Sequence, residues 1–344
     1  VTDDRALGFA ILLAGHPGVG PRRLTELITG QGAERGWAEV GGDPSADPLG
    51  VLADHRRAGV TVLARDHVSY PKRLRNDIEP AALLFAQGDL DVLAGTLVAI
   101  VGTRRCTGAG AGFARELGRD LTAAGVGVVS GLALGIDGAA HRGVLDAGGA
   151  PVGVVGSGLD VVYPTRHRDL WHSVRTTGVL LSESPLGVRP SAWRFPARNR
   201  IIAGLAELVV VVESHAKGGA MHTVREADDR GIQVMAVPGS VRSPAAAGTN
   251  QLLAEGCPPV RDATDILVAL GLSAASRASA IDARPQPDRI GGTLLAALDW
   301  EPATLEQLLV RTGLSLPELS LALETLVDTG WVSASGGWYE QAAR

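Results

Sequence analysis

Apolar positions follow two patterns along this chain, and the change between them marks its organisation. Through the first 58 residues they recur at helical spacing. Ala6 to Ala14 is an apolar stretch, Gly18-Val19-Gly20 interrupts it, and Pro21 to Ile28 resumes it with proline at the first helical position. From 59 to 271, short runs rich in valine and isoleucine alternate with amphipathic stretches. Leu97 to Val101, Val126 to Val129, Pro151 to Val155, Val179 to Leu181, Glu207 to Glu213 and Gln233 to Val237 are predicted strands. Helices are predicted over about 110–124, 136–146 and 220–230. Strands that are apolar on both faces and separated by helices belong to a parallel sheet covered on both sides. The fold class expected is α/β, an extended Rossmann-like doubly wound sheet, in which ligands bind at the carboxyl ends of the strands.

Two flanking segments are predicted. Residues 1–58 form a helical module, with the Gly18-Val19-Gly20 turn similar to the hairpin of SAM/helix-hairpin-helix modules and with Arg22 and Arg23 beside it. A plain turn between two helices fits the same residues. Residues 272–289 lose apolar periodicity and carry Pro, Ser and charge, the composition of a flexible linker. Residues 290–344 then predict three helices followed by a two-strand hairpin, the plan of a winged helix. Its third helix, from Leu316 to Thr329, carries Glu318, Glu324 and Asp328 and neither Arg nor Lys, a poor surface for phosphate. A structural or protein-contacting role is expected of it.

Composition narrows the class. The 344 residues are 45% hydrophobic and 20% charged, enough to bury a large core. With 32 basic and 37 acidic residues the net charge is -5, so any anion site must be local. Lys72 and Lys217 are the only lysines, and arginine supplies the other cations. Cys106 and Cys257 form no CxxC pair, the start Val-Thr-Asp-Asp-Arg is no leader, and no apolar run reaches membrane-spanning length. A soluble cytoplasmic protein without membrane contact is the expectation.

The candidate chemistry lies at the strand ends. Gly102-Thr103-Arg104-Arg105 follows the first central strand, with Gly108, Gly110 and Gly112 opening the next helix. The glycines and the helix amino end suit an anion, neither the G-x-G-x-x-G spacing of a dinucleotide site nor the Gly-Lys-Ser/Thr of a P-loop is present, and Thr103 and Arg104 are placed to hold a phosphodiester. The second strand ends Ser130-Gly131, followed by Asp137 and His141 on one helix face. These two are an acid-base pair or half a metal site, or an N-terminal helix acid with a hydrogen-bonded histidine. Lys217-Gly218-Gly219 after the strongest strand is a second possible phosphate nest. Arg194, Arg198 and Arg200 fall within seven residues, with Phe195 and Asn199 among them. Such a cluster suits phosphate, and its ring suits a stacked base. A solvated arginine turn before a helix is the bland alternative. The donors at these ends favour binding over bond-making, and no catalytic residue, metal or cofactor is expected.

Several ordered motifs between about 60 and 270 resemble the DNA-processing protein A (DprA/Smf) family. They are Tyr70-Pro71, the strand before Gly88-Asp89, Val98-Ala-Ile-Val-Gly-Thr-Arg104, Ser130 through Asp137 with His141, Gly158-Leu-Asp160, Tyr163-Pro164, Phe195 through Gly204, Ala236 through Gly239, and Gly248-Thr-Asn250. The resemblance implies a binding protein rather than an enzyme. It would bind and protect single-stranded DNA entering during natural transformation, load RecA onto it, and work as a homodimer through the Rossmann-like domain. By position, Gly102, Thr103, Arg104, Ser130, Gly131, Phe195, Arg198, Asn199, Arg200, Lys217, Gly218 and Gly219 would line the DNA site, with Asn250, Leu252 and Leu253 at the dimer surface. Thr103 in place of serine, Gly108-Ala109-Gly110 in place of a tyrosine-glycine pair, and Gly218-Gly219 in place of Ser-Gly depart from the family pattern. Two rivals remain: a phosphoribohydrolase-like nucleotide enzyme, for which Glu226 comes later than the required spacing, and a winged-helix regulator that binds duplex DNA.

Overall fold

The computed structural model describes residues 3–272, 284–298 and 302–342. Most of the stretch expected as a linker, 273–283, lies outside the described residues. The chain divides into two compact units, Val1–Ala275 and Ser276–Arg344.

The first unit opens with four helices, α1 (Asp4–Gly15), α2 (Pro21–Gln31), α3 (Ala33–Glu39) and α4 (Pro48–Arg57). Asp3 and Asp47 cap α1 and α4 by accepting from the amides of Ala6 and Gly50. Strand β1 (Thr61–Ala64), the short helix α5 (Lys72–Arg75) and strand β2 (Leu83–Gly88) follow. The alternating part of the chain then runs β3 (Leu97–Val101), α6 (Gly108–Ala123), β4 (Gly127–Ser130), α7 (Ile136–Asp146), β5 (Val152–Val155), α8 (Arg168–Thr177) and β6 (Val179–Ser182). It continues through α9 (Arg194–Leu205), β7 (Leu208–Val211), α10 (Ala220–Asp228), β8 (Gln233–Ala236), α11 (Ala247–Ala254) and α12 (Ala263–Ala269).

The eight strands lie in the order β1-β2-β6-β5-β4-β3-β7-β8. The six from β3 to β8 are parallel to their neighbours, while β1 and β2 extend one edge antiparallel. Their side chains alternate between two apolar layers. Leu97, Ala99, Val101, Val154 and Val209 face Ile201, Ile202 and Leu205 of α9 and Val224 of α10. Val98, Ile100, Val128 and Val210 face Leu117 of α6, Val144 of α7 and Ile266 of α12. At the antiparallel edge, Val62, Leu83 and Phe85 pack with Leu13, Leu24 and Leu52 of the first helices and Trp171 of α8, so the N-terminal helices share a core with the sheet. The parallel strands therefore direct their carboxyl ends, and the loops that follow them, to one edge of the layered unit.

The second unit holds α13 (Arg289–Ala297), β9 (Ala303–Thr304), α14 (Leu305–Thr312), α15 (Leu316–Asp328), β10 (Val332–Ser335) and β11 (Trp338–Gln341). The strands make an antiparallel sheet in the order β10-β11-β9. Leu294, Leu308, Leu319, Leu323 and Val332 form its core. On α15, Glu318 is engaged by the amide and hydroxyl of Ser315 at 3.0 and 2.6 Å, closing a capping box. No helix among the described residues is long and apolar enough to cross a membrane.

Candidate nucleic-acid interface

The sequence Ser191 to Gly204 places its three arginines on helix α9, not in a turn ahead of it. Residues two apart on a helix diverge by roughly 200°, so Arg198 and Arg200 point to different sides while Arg194 and Arg198 share one. Arg198 is 7% exposed and runs between the ends of β4 and β5. Its Nη1 donates to the carbonyl of Gly131 at 2.9 Å and to that of Val154. Its Nε is buried without a partner among the described residues. Burial lowers the guanidinium to about 10, and the charge of Asp137 opposes that fall. Arg200 is turned inward, where it donates to Glu183 Oε1 at 2.5 Å and to the Glu79 carbonyl at 2.8 Å. Burial pushes the Glu183 carboxyl up, and Arg200 pulls it back. Arg200 is therefore half of an internal ion pair rather than a surface phosphate clamp. Asn199 is partly exposed between the two arginines.

A cleft opens over the carboxyl ends of β4 and β5, with Arg104, Gly131, Gly156, Tyr163, Phe195 and Arg198 in its wall. Three of these form a stack. The Tyr163 and Phe195 rings lie 5.4 Å apart at 35°, and the Arg104 guanidinium sits 4.9 Å from the centre of the Phe195 ring. Arg104 is exposed and forms no ion pair among the described residues. Its loop is held from beneath by Gly135, whose φ of +80° suits glycine and where a Cβ would fall 2.3 Å from the Thr103 carbonyl oxygen. The wall contains no carboxylate, so its charge is that of two arginines.

The structure brings Arg104, Gly131, Phe195 and Arg198 together and places the other expected residues differently. Thr103 is buried, and its hydroxyl accepts from the Arg105 amide at 3.2 Å. Gly102 is packed against Ile136 and the Glu213 carbonyl. Ser130 is fully buried, with its Oγ donating to the Ile100 carbonyl at 2.6 Å, so its hydroxyl ties two strands together instead of meeting a ligand. Lys217 is exposed on the loop after β7, outside the cleft wall, beside the amide of Gly218, which donates to the His215 carbonyl, and Gly219, which caps α10. The amino end of α6 already has a carboxylate beside its N-cap. The Glu213 carboxylate accepts there from the Thr107 amide and hydroxyl at 2.9 and 2.6 Å. Leu252 is 4% exposed and belongs to the core, so it offers no surface to a second copy; Leu253 is half-buried. Asn250 uses its amide to hold the backbone of Gly239 at both the carbonyl and the amide.

Asp137 and His141 serve the fold. The Asp137 carboxylate accepts from the Gly131 amide at 3.1 Å, and burial raises its pKa against the pull of Arg198. The His141 ring donates through Nε2 to the Val152 carbonyl at 3.1 Å, and burial lowers its pKa to about 4. Glu226, the carboxylate an enzyme reading would need, is paired with Arg230 at 2.7 Å. Among the described residues, no three His, Cys, Asp or Glu side chains converge as a metal set. Reading from the sequence missed the Tyr163–Phe195 stack and the Glu183 pairing. Only the presence of Tyr163 in a strand-end loop hinted at the first.

Residues 61–271 match the sequence profile of the family described as DNA recombination-mediator protein A. The chain is 38% identical over 217 residues to DNA processing protein DprA of Bacillus subtilis (strain 168), covering 63% of this chain and 73% of that protein. It is 33% identical over 295 residues to Protein Smf of Escherichia coli (strain K12), covering 82% and 78%. Among solved structures, DNA processing protein A of Streptococcus pneumoniae superposes with a TM-score of 0.65 at 28% identity, over 78% of this chain and 98% of that one. DNA processing protein A of Helicobacter pylori, which has a single-stranded DNA binding mode, gives 0.56 at 28% identity, over 61% and 95%.

Proposed function

Because the chain belongs to the DNA recombination-mediator protein A family, we propose that it binds single-stranded DNA at the cleft over β4 and β5, without covalent chemistry. The observation that carries this reading is Arg104, an exposed cation without a carboxylate partner among the described residues, stacked over the Phe195 ring of the Tyr163–Phe195 pair. A cation beside aromatic faces is what a flexible strand needs, since the cation neutralises phosphate and the rings accept any base. Duplex DNA keeps its bases inside and cannot use the rings. The buried Arg198 adds positive potential at the cleft floor, and its unpartnered Nε is a donor that a phosphate oxygen reaching that depth would satisfy.

In this reading the protein acts in the cytoplasm on DNA entering during transformation, and it passes the strand to RecA, which uses the ATP. Two copies would tether two segments and raise the local density of DNA. The Asn250–Leu253 segment offers its outer side for such a contact, through exposed Gln251 and half-buried Asn250 and Leu253. The test is a fluorescence-anisotropy titration of a labelled oligonucleotide as single strand and as duplex, across a salt series. Tight, salt-sensitive binding that favours the single strand is expected. Equal affinity for both forms would reject the reading.

A further inference from the structure

A second cleft lies on the other side of the start of α9 and shares Val155, Gly156 and Arg198 with the first. Its chemistry differs. Trp193, 49% exposed, stands at its rim with the Arg194 guanidinium 4.4 Å from the indole centre. Pro21, at the first turn of α2, lies in the wall, and so do Glu183 and Ser184 from the end of β6. Arg194 also donates to the Ser184 hydroxyl at 2.8 Å. The Glu183 side chain keeps 15% exposure, and Arg200, the one hydrogen-bond donor to its carboxylate among the described residues, engages Oε1.

A carboxylate in the wall repels phosphate and accepts from N–H groups, while the neighbouring hydroxyl and guanidinium can donate. That pattern, an acceptor at Oε2 with Oε1 shared with Arg200, beside a donor, complements the Watson–Crick edge of guanine, which offers N1–H and N2–H next to O6. Adenine and cytosine each turn a ring lone pair toward the carboxylate, and thymine offers one N–H between two carbonyls. The indole supplies a flat surface for the ring. Each cleft carries two arginines, and the first, with no carboxylate among its described wall residues, is the one suited to the phosphate.

We propose that the Trp193 cleft is a nucleobase subsite that prefers guanine, next to the phosphate-binding cleft on the same strand path. The proposal rests on the single-strand function above. It divides the work at the head of α9: Arg104 and Arg198 take the backbone on one side, and Trp193, Glu183 and Ser184 take a base on the other.

The test uses the full chain and three labelled thymidine oligonucleotides: one with a single central guanine, one with inosine there, which lacks only the N2 amino group, and one with thymine. The guanine strand is expected to bind roughly tenfold more tightly than the other two. Trp193→Ala should remove that advantage. Arg104→Ala should weaken all three by one factor and keep their ratio. Equal binding of the three strands by the wild-type protein, or a guanine advantage that survives in Trp193→Ala, would overturn the subsite alone. Binding of none of them would overturn the function beneath it.

Discussion

Arg198 lies so close to Gly131 that a Cβ on this glycine would fall 2.4 Å from Nη2 of the guanidinium. The same residue is held on both sides of its backbone: its carbonyl accepts from Arg198 and its amide donates to Asp137. Gly131→Ala should therefore push the guanidinium off two buried carbonyls. A loss of about 1–3 kcal/mol in stability is expected, together with weaker single-strand binding. Thermal melting and anisotropy on one sample would check both. Wild-type values in both would mean that the guanidinium moves aside without cost.

Arg104 and Arg198 should separate affinity from stability. Arg104→Ala removes an exposed cation, so it should weaken binding, reduce the log-log salt slope by about 0.7, and leave the melting temperature nearly unchanged. Arg198→Ala should also weaken binding, and it should lower the melting temperature because the Gly131 and Val154 carbonyls lose their donor. An unchanged salt slope for Arg104→Ala would remove this residue from the DNA contact.

Arg200→Ala leaves the Glu183 carboxylate buried without its cation. Breaking such a pair costs about 3–5 kcal/mol, whereas replacing both partners with apolar groups is often close to neutral. The Arg200→Met, Glu183→Leu double variant should therefore recover most of the stability lost in Arg200→Ala. Urea denaturation of the three proteins tests this, and a double variant no more stable than the single would contradict it.

Stability should fall on acidification through a window set by His141. The unfolded ring takes up a proton near its ordinary 6.5, and the buried ring does so only at about 4. Between those values the unfolded chain binds more protons, so lowering the pH removes stability, by about 3 kcal/mol at most from this group. His141→Gln keeps a donor for the Val152 carbonyl and does not titrate, so it should flatten that part of a melting-temperature profile. An equally steep profile in the variant would assign the titration elsewhere.

The second unit is expected to contribute little to single-strand affinity. Its α15 presents Glu318, Glu324 and Asp328 and no cation. A protein ending at residue 272 should match the full chain in affinity and salt slope by anisotropy. A slope lower by one contact or more would place phosphate on the second unit.

The central strands were legible because Val98-Ala-Ile-Val101 and Leu208-Val-Val-Val211 are apolar on both faces, which only a sheet covered on both sides accommodates. The opposed directions of Arg198 and Arg200 were also legible in principle, from helical geometry alone, once the segment is placed on a helix. Their partners were not. Glu183 lies seventeen residues before Arg200, and Tyr163 lies far before Phe195 in the chain. Nothing local marks such pairs, because the packing of α9 across the strand ends creates them. Leu252 misled for a similar reason: Leu252 and Leu253 look alike in sequence, and only the docking of α11 decides which one faces the core.

The Glu213 carboxylate at the head of α6 also bears on what this sheet refuses. Doubly wound sheets of this kind commonly seat a pyrophosphate on the first helix, and here a side chain of the protein fills that berth with negative charge. A dinucleotide would have to evict it and would meet repulsion on the way in. A polynucleotide needs only one phosphate at a time beside a ring, and it can pass along the neighbouring strand ends without entering the berth. One carboxylate thus stands where a scaffold of this kind would seat the phosphates of a small cofactor.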